Sequence, residues 1–454
     1  MTQSKGRALY TPIIGMEIHV ELRTKSKMFC GCENNPFHAA QPNLHTCPVC
    51  LGMPGGLPVA NKEAIRWTAM LGLALNCTVS PISEFSRKHY SYPDLPKGYQ
   101  ISQYDKPLCE HGKIELAEQT VRIRRIHLEE DTAKMQHTTV DGSKVSLIDF
   151  NRSGVPLVEL VTEPDLHSAK AAGEYARKVR EMVIALGISD ANMEQGSMRL
   201  EANISLSKDP DVLPNYKVEI KNINSFRYLE QAIEFELDRQ EKLLNDGKTP
   251  VQETRGWNER HKQTIPQRTK ESAEDYRYMP DPDLPLIVLE PSDIARYQEE
   301  ANTKRSESME SQLAALEQLG LDSSELNALK KRNDASILIK HLLQLKAQHS
   351  SIVLRAFGQF LLKKEIIRQS FEELLAEYTS STTRSSIDPS LLASTIQTIL
   401  EKNSTVVADI RKGKQQAIGV LVGQTIGALK ASGMTNPDAS ILREALLQAI
   451  TSSS

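Results

Sequence analysis

Through its first two thirds the chain alternates polar and apolar residues in short runs; after that it changes to helical spacing. Glu17-Ile18-His19-Val20-Glu21 is the sharpest run. On a β-strand alternate side chains share a face, so Glu17, His19 and Glu21 would point the same way. Arg122-Ile123-Arg124, His127-Leu128-Glu129, Glu201 to Ser205 and Glu219-Ile220-Lys221 repeat the pattern. The solvated side of an antiparallel sheet accounts for any one such run. Solvated faces usually carry Lys, Thr, Ser and Gln, however. These carry short carboxylates, His, Asn and Arg, the side chains that bind cations and phosphate. Together they predict a concave sheet surface lined with acid and base.

Helical spacing is clear at three places before residue 290. One helix is expected over about Lys62 to Leu75. A second runs from about Ser168 to Leu186. Ser168 can cap it, Ala172, Tyr175, Ala176, Val179, Met182 and Val183 form an apolar stripe, and Gly187 stops it. A third starts near Ser225 and places Leu229, Ile233, Leu237 and Leu244 on one side. Strands and helices without strict alternation imply an α+β fold with a mixed or antiparallel sheet. From about Ser292 the chain is rich in Leu, Ala, Lys and Glu at helical periodicity, and Ser380 to Ser386 is a polar break. Three parts are therefore expected: a sheet-bearing domain over 1–292, an all-α domain over 293–387 and a small all-α unit over 388–454.

Composition narrows the functional classes. With 454 residues, 39% apolar content and a net charge of −3, the chain has no global positive field to draw in nucleic acid, so RNA contact must come from local patches. No apolar run approaches a membrane span, and the first residues lack the apolar core of a secretion signal. A cytosolic, reducing setting is expected, with an organellar address as the alternative. There clustered cysteines bind metal more often than they form disulfides. Cys30 and Cys32, then fourteen residues, then Cys47 and Cys50 give four thiols in two close pairs. A four-cysteine site with no open position would hold structural Zn²⁺; unliganded thiols or a redox pair are the alternatives. Cys77 follows an apolar helix and is expected in the core, while Cys109 is assigned no role.

The acid-and-base surface suits Mg²⁺ and a nucleotide. Mg²⁺ takes hard oxygen ligands and shares them with phosphates, and Arg or Lys offsets phosphoryl charge. No Gly-x-x-x-x-Gly-Lys-Ser/Thr loop occurs, so ATP, if used, is not held by a P-loop.

Seven segments, in order, carry a family resemblance. They are GMEIHVEL at 15–22, YSYPDLPKGYQISQ at 90–103, HLEED at 127–131 and DFNRSGVPLVE at 149–159, then EIKNINSF at 219–226, QETR at 252–255 and DYRYMPDPD at 275–283. The chain resembles the B subunits of bacterial and organellar aspartyl/glutamyl-tRNA amidotransferases, over nearly all of residues 10–290. The cysteine pairs are similar to those of the zinc-containing members.

That resemblance implies a fold related to glutamine synthetase and guanido kinases. It also implies an ATP-dependent, glutamine-hydrolysing carbon–nitrogen ligase. The B subunit would use ATP and Mg²⁺ to activate the side-chain carboxylate of glutamyl-tRNA(Gln) or aspartyl-tRNA(Asn). Ammonia from the A subunit would complete the amide, and the C subunit would hold A and B together. Carried over residue by residue, Glu17 and His19 are metal ligands, Glu130 the third, and Glu159 and Glu201 further carboxylates. Simple alternation from His127 favours Glu129, so Glu130 needs a bulge or strand end to turn inward. At Leu200-Glu201 the family commonly has Cys-Asp, so the carboxylate here is one methylene longer. Lys88, Arg199 and Lys221 are candidates for phosphate or acyl-phosphate contact, against a surface or ion-pair role. Glu21 is expected behind the ligands.

The tail, Gly413 to Gln424 and Asn436-Pro437-Asp438, resembles the tRNA-gripping tail of the family. Residues 401–454 hold six Lys or Arg against four acids, with Arg411, Lys412 and Lys414 as their cluster and candidate tRNA contacts. Residues 300–400 match the family pattern poorly, and the usual Trp-containing helix is absent, so a shortened or rearranged middle domain is expected. Two other readings fit less well. An archaeal-type paralogue would need a large inserted domain for which 454 residues leave no room. A zinc-stabilised RNA binder without activity would need eroded acidic strand faces, and these are largely intact.

Overall fold

The alternating runs pair into one sheet. A computed structural model describes residues 9–209, 212–269, 276–330, 332, 335–349, 352–363, 370–382, 388–412, 414–432, 434 and 437–452. Nine strands make the sheet: Thr11–Glu21 (β1), Thr78–Val79 (β2), Cys109–Glu115 (β3), Thr120–Glu130 (β4), Pro156–Thr162 (β5), Met198–Ser207 (β6), Val218–Ile223 (β7), Glu253–Asn258 (β8) and Gln263–Thr269 (β9). Their order across the sheet is β9-β8-β7-β6-β1-β5-β4-β3-β2. Only β7 and β8 run parallel, so the sheet is mixed, in line with the α+β expectation.

β1 sits at the middle, antiparallel to both β5 and β6. Its even-numbered residues Ile14, Met16, Ile18 and Val20 are buried in the main core. They pack under helices Lys62–Ala74 (α1), Ala169–Ala185 (α2) and Phe226–Asn245 (α3). All three helices stand where periodicity put them. Asn61 caps α1 by accepting from the Glu63 and Ala64 N–H groups, Ser168 caps α2 by accepting from Ala171, and Ser225 caps α3 by accepting from Tyr228. Gly187, at φ +70°, ends the second helical run. Cys77 and Cys109 are both core residues.

The first compact unit ends between Ser311 and Gln312, beyond the expected boundary at 292. The composition change near 292 marks the start of helix Pro291–Ser306 (α4), but that helix belongs to the sheet-bearing unit. Its Tyr297 and Ala301 are buried in the same core as β1. A switch from strand to helix periodicity reports secondary structure, whereas buried contacts decide where a domain stops.

The second unit is all helical. Helices Met309–Gln318 (α5), Ser323–Lys330 (α6), Ala335–Gln348 (α7), Leu354–Leu362 (α8) and Phe371–Thr382 (α9) share a core around Leu316, Leu338, Leu342, Phe357 and Leu374. Helices Pro389–Lys402 (α10), Ser404–Arg411 (α11), Ile418–Ala431 (α12) and Ala439–Ser452 (α13) share a separate core around Ile396, Leu421 and Leu446. The polar break at 380–386 is helical as far as Thr382, and its remaining residues lie outside the described ones. Gly413 and Asn436 lie outside them as well. No helix among the described residues is long and apolar enough to cross a membrane.

If α4 belongs to the first core, Tyr297→Ala should destabilise the sheet-bearing unit by roughly 3 kcal/mol, as truncating a buried aromatic does. Differential scanning calorimetry would show the loss in that unit's transition, with the helical transition unmoved.

Candidate active site on the sheet face

The odd-numbered residues of β1 look away from the helices. Glu17 lies opposite Glu201 on β6, and His19 lies between Arg199 on β6 and Glu159 on β5. Glu159 in turn faces His127 on β4. Four polar strand faces thus become one surface, because antiparallel neighbours in register project directly opposed residues to the same side.

Two groups of possible metal ligands form there, each with its ligand atoms within 4.8 Å of one another. The first is Glu17, Glu201 and Glu219; the second is His19, Glu129 and Glu159. In the first, Asn203 Nδ2 donates to Glu17 Oε1 at 2.8 Å and Thr254 Oγ1 to Glu219 Oε2 at 2.7 Å. In the second, His19 Nε2 stands 3.6 Å from Glu129 and 3.5 Å from Glu159. His127 Nε2 lies 3.2 Å from the same Glu159 oxygen.

The electrostatics show what such crowding does. Burial, then the Glu159, Glu201 and Glu219 charges, raise the Glu17 pKa. Glu159 is held well below the usual range: burial works against this, and the two imidazoles outweigh it. Burial pulls His19 down, but Glu159, Glu201 and Glu129 push it up to about 9. Like charges packed this closely favour a cation among them. Glu17, Glu201 and Glu219 offer oxygen alone, the donor set of Mg²⁺; the His19 group adds a nitrogen. Both groups fit a divalent ion.

Fixed positive charges surround them. Lys221 Nζ reaches Glu201 at 3.0 Å and Glu219 at 3.4 Å. Burial opposes the charge on Lys88, but Glu129, Tyr278 and Glu159 keep its pKa raised, and its ammonium sits 4.8 Å from the Tyr276 ring centre. Arg125 faces Val161 one rung along, and its Nε is buried without a hydrogen-bond partner among the described residues. Arg199 is committed to Asp131, at 2.6 Å, and Arg152 approaches the same carboxylate at 3.7 Å. Burial, then the Asp131 charge beside it, raise the Glu21 pKa well above its ordinary value.

The structure brings Glu17, His19, Glu159, Glu201, Lys88 and Lys221 together, and it corrects Glu130. The β4–β5 ladder stays regular through Leu157↔Glu129 and Pro156↔Glu130; its one irregularity lies at Arg124, between the Arg125 and Ile123 pairings. With no bulge to turn it inward, Glu130 points to the other side of the sheet. There it accepts from Lys97 Nζ at 2.6 Å and from the Ile101 N–H at 3.0 Å. Glu129, which alternation favours, takes the inward place. Sequence reasoning also missed Glu219, Arg125 and Asn203. Glu219 and Asn203 both stand in alternating runs. What concealed Glu219 is the pairing itself, Asn203↔Glu219, which no local pattern reveals; beyond it Leu200↔Ile223 is followed by Ala202↔Ile220, and Asn222 in this bulge takes φ +61°.

The four cysteines converge. Cys30, Cys32, Cys47 and Cys50 bring their sulfurs within 4.8 Å of one another, and Cys47 and Cys50 lie 3.9 Å apart. Zn–S bonds of about 2.3 Å in a tetrahedron require sulfurs about 3.8 Å apart, so the set fits zinc. The Cys30 thiol, the Cys47 N–H and the nearby Lys27 ammonium push the Cys50 thiol down to about 5, against the effect of burial. The knuckle presses on the loop leading to β5. Ser153 Oγ donates to the Cys50 carbonyl at 2.9 Å, and Gly154, at φ +84°, passes beside Cys50 and Lys27.

In the tail the guanidinium of Arg411 donates to the Ile450 carbonyl, which caps the last turn of α13. Lys414 lies 3.3 Å from Asp409, and Lys412 is exposed.

Comparison with known proteins fits this geometry. Residues 12–295 match the family described as "GatB/GatE catalytic domain", so the sheet-bearing unit is a catalytic domain of that class. Residues 324–446 match the one described as "GatB domain", which takes in most of the stretch that the sequence pattern left unmatched. The B subunit of the aspartyl/glutamyl-tRNA(Asn/Gln) amidotransferase of Thermomicrobium roseum is 41% identical over 97% of this chain and 99% of its own. Its counterpart in Herpetosiphon aurantiacus is 40% identical over 96% of this chain and 98% of its own. That of Dehalococcoides mccartyi reaches 50% over 62% of this chain and 58% of its own. The chain belongs to the family of B subunits of aspartyl/glutamyl-tRNA(Asn/Gln) amidotransferases.

A pKa raised to about 9 at His19 has a sign. The stabilisation is full below the unfolded value near 6.5 and is lost as pH rises through about 9. Magnesium-free protein should lose on the order of 1–3 kcal/mol over that window. Melting curves at pH 6, 7.5 and 9 test this; a flat profile would mean that His19 stays neutral.

Proposed function

We propose that this chain acts as the activating subunit of a tRNA-dependent amidotransferase. It makes the side-chain carboxylate of glutamyl-tRNA(Gln), aspartyl-tRNA(Asn) or both reactive toward ammonia. The observation that supports this best is the sheet face itself, where two cation-binding groups stand side by side among half-buried positive charges. That is the equipment for moving a phosphoryl group onto a carboxylate without covalent help from the protein.

In this reading the substrate carboxylate oxygen attacks the γ-phosphorus of ATP. The bond to the ADP oxygen breaks, and an acyl phosphate forms. Ammonia then attacks the acyl carbon, the carbon–oxygen bond breaks, and phosphate leaves with the amide formed. Glu17, Glu201 and Glu219, with His19, Glu129 and Glu159 beside them, would hold Mg²⁺, whose bound charge neutralises the phosphates. Lys88 and Arg125 stand over the face as contacts for the equatorial phosphoryl oxygens. Lys221, paired with Glu201 and Glu219 in this structure, would turn to phosphate once a cation shares those carboxylates. Arg199 does less of this work, because Asp131 already takes its charge.

The wider assembly follows the same reading. The glutaminase A subunit supplies ammonia, the C subunit joins A to B, and the acidic face corresponds to the cradle of glutamine synthetase and guanido kinases. Helices α10–α13 approach the tRNA, with Lys412 and Lys414 as phosphate contacts and Arg411 serving mainly to cap α13. Zinc in the four-cysteine knuckle is structural, and the compartment is the bacterial cytoplasm or an organellar matrix.

Two measurements test this. In a complex reconstituted with A and C subunits and given ammonia, ATP, Mg²⁺ and glutamyl-tRNA(Gln), Glu17→Gln should reduce ADP and amide formation by roughly a hundredfold or more. Filter binding should show tRNA affinity nearly unchanged; lost tRNA binding would make the strand structural instead. Zinc removal should lower the melting temperature of the sheet-bearing unit, because a closed thiolate site contributes its binding energy to folding. An unchanged melt would remove zinc from the account.

A further inference from the structure

Glu253, Thr254 and Arg255 of the QETR motif begin β8 and point two ways. Glu253 and Arg255 turn toward α3, into a buried ionic network. Arg255 Nη1 donates to Glu253 Oε1 at 2.7 Å, and its Nε and Nη2 donate to the Thr264 hydroxyl and carbonyl, each at 2.8 Å. Thr264 Oγ1 donates in turn to Glu236 Oε2 at 3.0 Å. The fully buried Glu236 also takes Arg239 at 2.7 Å, and Arg239 lies 3.4 Å from Glu253. Charges taken out of water persist only where partners satisfy them, so this network fixes β8 against α3 and β9.

Thr254 points to the opposite side. β7 and β8 run parallel with Glu219 paired to Thr254, which puts both on the carboxylate face. Thr254 is 5% exposed, and its hydroxyl donates to Glu219 Oε2 at 2.7 Å. The other oxygen, Oε1, meets Lys221 at 3.4 Å. Glu17 is held in the same manner by Asn203 Nδ2 at 2.8 Å. The two kinds of partner act differently toward a cation. Lys221 is charged and competes with a divalent ion for the same carboxylates. A hydroxyl is neutral. It fixes the side chain through one of the roughly four lone-pair sites of a carboxylate and leaves the charge to the ion. Valine has the same shape and suits a strand as well, so neither packing nor strand propensity accounts for the hydroxyl.

We propose that Thr254 is a positioning residue for the amidotransferase reaction. Its hydroxyl holds one oxygen of Glu219 so that the other is presented to the cation shared with Glu17 and Glu201, and Glu253 and Arg255 anchor the strand that carries it. The inference rests on the cation-binding reading of the face above and adds the residue that orients one of its carboxylates. Thr254 acts through Glu219 alone.

The test uses the zinc-loaded complex with its A and C subunits. Mn²⁺ is the probe, titrated by electron paramagnetic resonance in the absence of substrates. Glu219→Ala identifies the site in question by weakening it. Thr254→Val keeps the shape and removes the donor. It should raise the Mn²⁺ dissociation constant of that site about tenfold or more, as loss of an outer partner of a metal ligand does. The Mg²⁺ concentration for half-maximal ADP formation should rise with it, while the KM for glutamyl-tRNA stays unchanged. Thr254→Ser keeps the donor and should bind Mn²⁺ nearly as the natural chain does. Added to Glu219→Ala, Thr254→Val should cost nothing more, because its partner is already gone. Melting curves separate a folding defect from lost positioning. Should Thr254→Val fail to fold, Thr254→Cys, a weak donor of similar size, takes its place with a smaller loss in the same direction. Mn²⁺ binding by Thr254→Val equal to that of the natural chain overturns the assignment. Equal losses in Thr254→Val and Thr254→Ser overturn it too, since packing and not the donor would then be at work. If Glu219→Ala leaves Mn²⁺ binding intact, the cation reading of this group falls, and the role of Thr254 with it. If Glu219→Ala weakens binding and Thr254→Val does not, the positioning role alone falls.

Discussion

Carboxylates crowded on one face of a sheet repel one another, and the rest of this structure can be understood through that repulsion. Glu17, Glu201 and Glu219 share a few ångströms, and Glu129 and Glu159 stand next to them. Such a face persists only if cations compensate it. In this structure Lys221 does so for one group and His19 for the other. These are internal counter-ions, and the cost of bringing the carboxylates together is met by folding.

The sheet can carry this load because its other face is an ordinary core. Even-numbered residues of β1 lie among α1, α2 and α3, and α4 closes the same core with Tyr297 and Ala301. The four-cysteine knuckle then steadies the approach to β5. It touches the loop at Ser153 and Gly154, five residues before Glu159 in the case of Gly154. Lys97 and Glu130 occupy the space beneath. The Glu130 carboxylate is there spent on holding a loop, through Lys97 and the Ile101 N–H. Neighbouring acids in one motif thus have opposite duties.

Much of this was legible in the sequence, and for definite reasons. Alternation determined which side chains of β1 share a face, since the two-residue period of a strand is a local property. A capping serine and an apolar stripe determined α2, helical spacing placed α3 and the extent of α1 was expected as well, and the paired cysteines announced a four-thiol site. The family motifs supplied the chemistry. Alternation from His127 pointed to Glu129, which the regular β4–β5 register turns inward, whereas the family resemblance had put Glu130 there.

What the tertiary structure alone decided is register, bulges and the reach of a core. The β6–β7 register sets Glu219 opposite Asn203 and brings Lys221 to Glu201, and no local pattern reveals how far one strand slips against another. The domain boundary moved from 292 to Ser311 because burial of α4 depends on residues far away in sequence. The cavity of about 350 Å³ beside Gly15 is of the same kind. A glycine in a strand reads as a weak point, and only the strands and loop gathered around it enclose that space. The sequence set the chemistry of each face by itself, because side-chain type and strand period are local. Which charges meet was left to packing, because distance in space is not distance along the chain.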